Sequence, residues 1–172
     1  MTILGPAVSL PAPLQETKMK RRERGITLIE LMIVLMIVAI LAGIAIPSYG
    51  NYVLRSNRTE ARAALLALAT AQEKYYLQCN TYVATLDDTK DNTCAATGVT
   101  ASLKFPATSE RGLYTIAVSA ADAATWTATA TAVSTGRQQQ DTNCRTYQLT
   151  SAGAKTAKNS SNAANDAECW GK

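Results

Sequence analysis

Residues Ile26 to Ile46 read ITLIELMIVLMIVAILAGIAI, a run of twenty-one residues in which Glu30 is the only charged side chain. At about 1.5 Å of rise per residue, an α-helix of this length just crosses a hydrocarbon core of roughly 30 Å. A core helix can also be apolar all round, but it rarely runs so long without a polar face. The run is therefore expected to be a membrane-embedded helix. Lys20-Arg21-Arg22-Glu23-Arg24-Gly25 stands directly before it, and a basic flank of this kind keeps its end of a span on the cytoplasmic side. Glu30 is out of place on these terms, because a carboxylate in lipid costs on the order of 3 kcal/mol unless something pairs with it.

The segment Arg24-Gly25-Ile26-Thr27-Leu28-Ile29-Glu30-Leu31 resembles the class III signal of type IV pilins and their relatives. Four unlike features coincide in it: a basic leader, a glycine, a glutamate at a fixed offset and an uninterrupted apolar run. The resemblance implies that a prepilin peptidase cuts after Gly25 and methylates the new N-terminus at Ile26, where the family more often carries Phe. It assigns Glu30 to subunit assembly. It also implies the partners: other pilin subunits in a helical filament, the prepilin peptidase, an inner-membrane assembly machinery and, before assembly, the lipid of the inner membrane. The domain would stand in the periplasm as a single-pass precursor and reach the cell surface in the pilus.

Residues 1–18, MTILGPAVSLPAPLQETK, are unlike the rest of the chain. Pro6, Pro11 and Pro13 break any helix, and the apolar stretch is too interrupted for a secretory signal. Met19 then opens the compact basic leader MKRRERG. Met19 is expected to be the true start, with residues 1–18 an over-extension, the alternative being a long leader. Residues 1–25 are thus expected to be lost, residues 26–47 to be the transmembrane and filament-core helix, and residues 48–172 to be the surface domain. The leader takes most of the net positive charge with it. What remains has twelve basic and eleven acidic side chains, a net charge of +1.

Cys79, Cys94, Cys144 and Cys169 all lie beyond the apolar run, and there is no histidine in the chain. An even number of cysteines in an exported domain reads as two disulfides, with three possible connectivities. Without a CxxC pair or a histidine, neither a metal site nor His-dependent catalysis is expected, and no cofactor is implied. The chain does not read as an enzyme.

Pro47 ends the apolar run, and Tyr49, Tyr52, Arg55 and Arg58 come next, an interfacial aromatic and basic belt or a subunit contact. Ala61, Ala64, Leu65, Leu68, Ala71, Tyr75 and Cys79 then recur at three- and four-residue spacing, with Arg58, Glu60, Arg62, Glu73 and Lys74 mostly off that stripe. One bent helix from about Ile26 to about Cys79 is expected, apolar all round in its first half and amphipathic in its second. Asn80 to about Gly112 is punctuated by Asn, Asp, Gly and Pro and reads as a loop. It is long for a free connection, so a Cys79–Cys94 bridge is expected to clip it to the helix end.

Three runs alternate with period two: Leu113–Ser119, Thr125–Val133 and Cys144–Thr150. They place Tyr114, Ile116 and Val118, then Trp126, Ala128, Ala130 and Ala132, then Tyr147 and Leu149 on inward faces. Threonine at every second position decides for strand over helix in the Ala/Thr run. The fold class expected is α+β: a long bent N-terminal helix packed under a three- or four-stranded antiparallel sheet, with a disulfide-closed C-terminal loop. Ser151–Lys172 reads as a polar, exposed tail, and a Cys144–Cys169 bridge closing it looks like the D-region of type IV pilins. On that reading, loss of Cys79–Cys94 costs at least as much stability as loss of Cys144–Cys169.

The pattern Gln140-Asp141-x-x-Cys144, Leu149-Thr150-Ser151-x-Gly153 and Cys169-Trp170 is most similar to minor pilins related to the DNA-uptake receptor of competent bacteria. The function implied is a structural pilus subunit, with roles such as twitching motility, adhesion or DNA uptake. DNA as a direct partner has weak support, since residues 137–172 carry a net charge of only +2. A pseudopilin of a type II secretion system would share the leader, Gly25 and Glu30; two disulfides and a cysteine-bounded loop favour the pilin. Because a side chain at position 25 would not fit the peptidase cleft, Gly25→Val is expected to leave full-length precursor in the inner membrane. Mass spectrometry of the unsubstituted protein should show a methylated chain beginning at Ile26, and a mature N-terminus at any other residue would overturn the processing assignment.

Overall fold

In the computed structural model of this chain, residues 25–97 and 100–171 are described. Apart from Gly25, the expected leader lies outside them, as does the choice between Met1 and Met19. The chain divides into two compact units, one ending at Leu41 and the other running from Ala42 to Lys172. A single helix, α1 (Leu28–Cys79), enters both and continues through Pro47. Proline in a helix interior removes one backbone hydrogen bond without ending a helix supported on either side.

In the first unit the described residues are helix and its start. The large apolar side chains from Ile26 to Leu41 are 50–77% exposed. Among the described residues of the unit nothing covers them.

The second unit has a core of its own. The stripe on α1 is as expected: Ala61, Leu65, Leu68 and Tyr75 are fully buried, and Ala64, Ala71 and Cys79 are partly buried around them. Four strands come after it, β1 (Tyr114–Ala121), β2 (Trp126–Ala132), β3 (Thr146–Thr150) and β4 (Lys155–Lys158). They pair antiparallel in the order β1-β2-β3-β4, a meander. Tyr114, Ile116, Trp126, Ala128, Ala130, Tyr147, Leu149 and Ala157 point inward and join the helix stripe in one core. Small alanines on β2 stand opposite two of the buried tyrosines, Ala132 opposite Tyr114 and Ala130 opposite Tyr147. A register shift between Val118 and Ala120 ends the clean alternation of β1, so Val118 is only partly buried.

The tail differs from its sequence reading. It supplies β4 and a short helix, α2 (Asp166–Trp170), and Cys169 and Trp170 are buried. The β3–β4 turn depends on Gly153, whose φ of +78° suits glycine, and whose N–H donates to the Thr150 carbonyl at 2.9 Å. β4 escapes a hydrophobicity reading because Ala157 is its one deeply buried side chain. Five residues of α2 are too few to show a period.

The long loop after α1 is held down as its length requires. Cys79 is bonded to Cys94, and Cys144 to Cys169. Gln72, on the buried stripe, treats Val83 as a paired strand would: its Nε2 donates to the Val83 carbonyl at 2.6 Å and its Oε1 accepts from the Val83 N–H at 3.2 Å. Tyr75 donates its hydroxyl to the Thr93 carbonyl at 2.8 Å, and bridges join Leu86 to Leu103 and Thr93 to Ser102. Near the loop's far end Arg111 binds Glu60 through its Nε at 2.7 Å and its backbone N–H at 3.0 Å.

A closed tail that carries a strand and a buried tryptophan favours the opposite order of the two bridges. Cys144 and Cys169 are fully buried, whereas Cys94 is exposed. Each bridge restricts the unfolded chain by about 3 kcal/mol, but loss of the second also frees β4 and α2 from the core. Cys169→Ser is therefore expected to lower the melting temperature more than Cys79→Ser, read by circular dichroism on the full chain in detergent.

Candidate functional site

Two places in the chain are candidate sites, one in each unit. The first is the start of α1. Gly25, Ile26 and Thr27 precede the helix, and Thr27 accepts the Glu30 N–H on its Oγ1 at 3.2 Å. A threonine before the first helical residue and a glutamate three residues on are the pair used in capping boxes. Glu30 also sits in the first turn, where the positive end of the helix dipole favours a carboxylate. The helix thus accommodates Glu30 in part, a local reason for this charge at the head of an apolar run. Its side chain is exposed, and among the described residues it has no ion-pair partner. Gly25 has no conformational need to be glycine, since a Cβ there would meet nothing within 4 Å.

The second place is the attachment of the cysteine-closed C-terminal segment to α1. Arg58 is 7% exposed and Asp141 4%. They meet in a bidentate pair, Nε to Oδ2 at 2.7 Å and Nη2 to Oδ1 at 2.9 Å, while Nη1 donates to Glu168 Oε1 at 3.0 Å. Burial alone would lower the Arg58 pKa, but bonds from Asp141 and Glu168 outweigh it and hold the guanidinium above its ordinary range. Asp141 also accepts the Cys144 N–H at 3.2 Å and the Gln138 amide at 3.2 Å. Glu168 accepts Asn143 Nδ2 at 2.8 Å and Asn165 Nδ2 at 3.1 Å. Bonds from Asn143 and Asn165, with Arg58 behind them, hold its carboxyl down at about 2.

Aromatic side chains fill the space beside this lock. Tyr114 meets Tyr147 edge-on at 5.9 Å, and Tyr147 meets Trp170 at 5.8 Å. Burial pushes both phenols above their ordinary range. Trp170 Nε1 donates to the Thr156 carbonyl at 2.8 Å, and the Lys155 ammonium lies 5.6 Å from the centre of its ring. Of the basic residues in this segment, Lys155 is thus occupied with Trp170, and Arg145 donates to the Gln139 carbonyl at 2.7 Å. Among the described residues, no group of His, Cys, Asp or Glu could hold a metal ion.

The structure corrects the place of Arg58. It does not belong to an exposed belt with Tyr49 and Tyr52, which are 67% and 69% exposed. With Asn57 it opens the buried face of α1, three residues before Ala61 and seven before Leu65, and that phase was the signal for it. Its partner was visible too, as the aspartate three residues before Cys144.

A bare apolar helix joined to a meander whose last segment is closed by a disulfide defines a subunit that completes itself only in lipid or beside other chains. A family model described as "Type IV minor pilin ComP, DNA uptake sequence receptor" matches residues 47–148. One described as "Prokaryotic N-terminal methylation motif" matches residues 20–46. With more than half of its residues in the first, the chain belongs to this family of type IV pilins. It is 49% identical over 61 residues to the type IV major pilin protein PilA of Myxococcus xanthus (strain DK1622), covering 36% of this chain and 28% of PilA. With the type IV major pilin protein PilE of Neisseria gonorrhoeae the figures are 38% over 86 residues, 50% of this chain and 48% of PilE. A fimbrial protein of Pseudomonas aeruginosa is 48% identical over 58 residues, 34% of this chain and 38% of the relative. The chain thus spans less than half the length of these relatives.

Removing Arg58 would leave Asp141 buried without its main partner, a change that costs about 3 kcal/mol or more. Arg58→Ala is expected to lose stability of that order in urea unfolding of the full chain in detergent. Glu168 adds a pH dependence. Its folded pKa of about 2 lies below the ordinary 4.5, so its contribution is present above the higher value and is lost as pH falls toward the lower. Stability between these limits should fall less steeply in Glu168→Gln than in the unsubstituted protein.

Proposed function

We propose that the chain is a minor pilin, a structural subunit of a type IV pilus, cleaved after Gly25, methylated at Ile26 and assembled through its apolar helix. One observation carries this reading: the uncovered apolar surface from Ile26 to Leu41. At about 25 cal/mol per Å², so much exposed apolar area cannot rest in water. Lipid satisfies it before assembly and other subunits satisfy it afterwards. Cleavage places a charged amine on Ile26. Glu30 of one subunit pairs with that amine on a neighbour, which relieves a carboxylate that has no ion-pair partner among the described residues. The open space around Gly25 supports a requirement for glycine imposed by the peptidase. Residues 1–25 are the leader on this reading, with translation starting at Met19, and residues 48–172 stand in the periplasm until assembly carries them to the cell surface.

The description of the matching family favours a second role, DNA uptake, with DNA as a partner. The small net charge of residues 137–172 gives it limited electrostatic support. A type II secretion pseudopilin would share the apolar helix, but the relatives this chain matches are named as pilins and a fimbrial protein.

Glu30→Ala separates assembly from insertion. The substitution removes a charge costing roughly 2.5–3.5 kcal/mol at a span's centre and less near its end, so cleavage and membrane insertion should persist. If the pair with the neighbouring amine contributes about 1.4 kcal/mol, incorporation should fall about tenfold. Quantifying this chain in sheared surface fibres against the membrane pool measures the effect, and unchanged incorporation would rule the pairing out.

A further inference from the structure

The second unit carries a basic surface at the level where the apolar run ends. The run stops at Ile46, and Gly50 and Leu54 stand on α1 four and eight residues later. At 1.5 Å per residue they lie roughly 6 and 12 Å beyond Ile46. The headgroup layer extends about 5–8 Å beyond the hydrocarbon on each side. A short 3-10 turn, Arg137–Gln140, is fastened to the helix at this level. Gln138 donates its Nε2 to the Leu54 carbonyl at 3.2 Å and is fully buried. The Arg137 guanidinium lies over Gly50, its Nη2 only 3.5 Å from where a Cβ would stand. Arg55 is exposed beside a polar cavity of about 200 Å³ that Asn51, Arg58 and Gln140 also line.

Arg55 and Arg137 are both exposed, and among the described residues neither has an ion-pair partner. The nearby carboxylates are already engaged: Asp141 by Arg58, and Glu168 by Arg58, Asn143 and Asn165. Tyr49 and Tyr52, exposed at the same height, are side chains that favour a membrane–water interface. We propose that, before assembly, Arg55 and Arg137 seat the second unit on anionic phospholipid headgroups through the turn Arg137–Gln140. This rests on the reading that residues 26–46 span the bilayer first. Height on the helix is what favours lipid over nucleic acid, because this surface starts inside the headgroup layer. Pinning of the turn by Gln138 to the Leu54 carbonyl makes the surface a built part of the fold.

The test uses the full chain in nanodiscs of either phosphatidylcholine alone or phosphatidylcholine with phosphatidylglycerol. Retention in the discs on gel filtration reports the spanning helix separately, and loss of the protein from both discs would sink that reading and this proposal with it. In retained protein, amide hydrogen exchange over residues 134–141 is the readout. Exchange is expected to be roughly threefold slower in the anionic discs and to return to the neutral-disc rate in about 0.5 M salt. Arg55→Gln with Arg137→Gln should abolish the difference, with exchange in β2 unchanged as the control for folding; Arg137→Gln alone serves if the double variant fails that control. Equal exchange in the two discs, or slowing that survives the substitutions, would overturn the proposal. Duplex DNA added to the neutral discs is the last arm. Slowing by DNA without slowing by the anionic lipid would give this surface to nucleic acid.

Discussion

The second unit depends on one buried guanidinium. Arg58 rises from α1 into a space closed by Asp141 and Glu168, and those two residues belong to segments joined by the Cys144–Cys169 bond. A buried ion pair is weak evidence for net stability, since desolvation offsets much of the attraction. Its value here is specificity. A bidentate fork on Asp141 with a third bond to Glu168 admits one placement of the C-terminal segment against the helix, where apolar contacts alone would tolerate several. The tyrosines and Trp170 then pack on a fixed frame.

A polar side chain on the buried stripe does similar work at the other end of the same helix segment. Gln72 supplies a donor and an acceptor to the Val83 backbone, in the way a neighbouring strand would. A loop that leaves a helix carries backbone groups that need partners once buried. The side-chain amide meets that need where no strand is available. The stripe on α1 is thus an apolar seam with an ionic anchor at Arg58 and an amide anchor at Gln72, and each fixes a different segment.

Much of this architecture was legible in the sequence because it rests on period. Leu65, Leu68 and Tyr75 announce a helix face, and the Thr/Ala alternation of β2 announces a strand with its small side chains inward. The Cys79–Cys94 pair came from the need to hold down a long loop, and Cys144–Cys169 from a tail whose closure looks like the D-region of type IV pilins. Legibility failed where a polar residue took an apolar position. Arg58 and Gln72 are in phase with the stripe, yet a charge or amide reads as solvent-facing until its partner is known. β4 was hidden for the converse reason, since one buried alanine among two lysines and a threonine gives no alternation to see. At the head of α1 the Gly25, Ile26 and Glu30 signal was plain. The geometry adds that the helix cap itself provides for Glu30.

The placement of β4 and α2 at the far end of the chain sets an order in time. A chain made from its N-terminus presents the α1 stripe early, but Asp141, Tyr147 and Trp170 arrive late. Until they do, Arg58 stays in water, where a lone guanidinium is stable. The Cys79–Cys94 loop needs only the helix end and the segment after it, so it can close first. The bond between Cys144 and Cys169 comes last, once the final turn of backbone is present. Burial of Arg58 therefore waits for the segments that the second bridge joins: a chain cut short before Asp141 has its helix and its first bridge, but no carboxylate to receive the guanidinium.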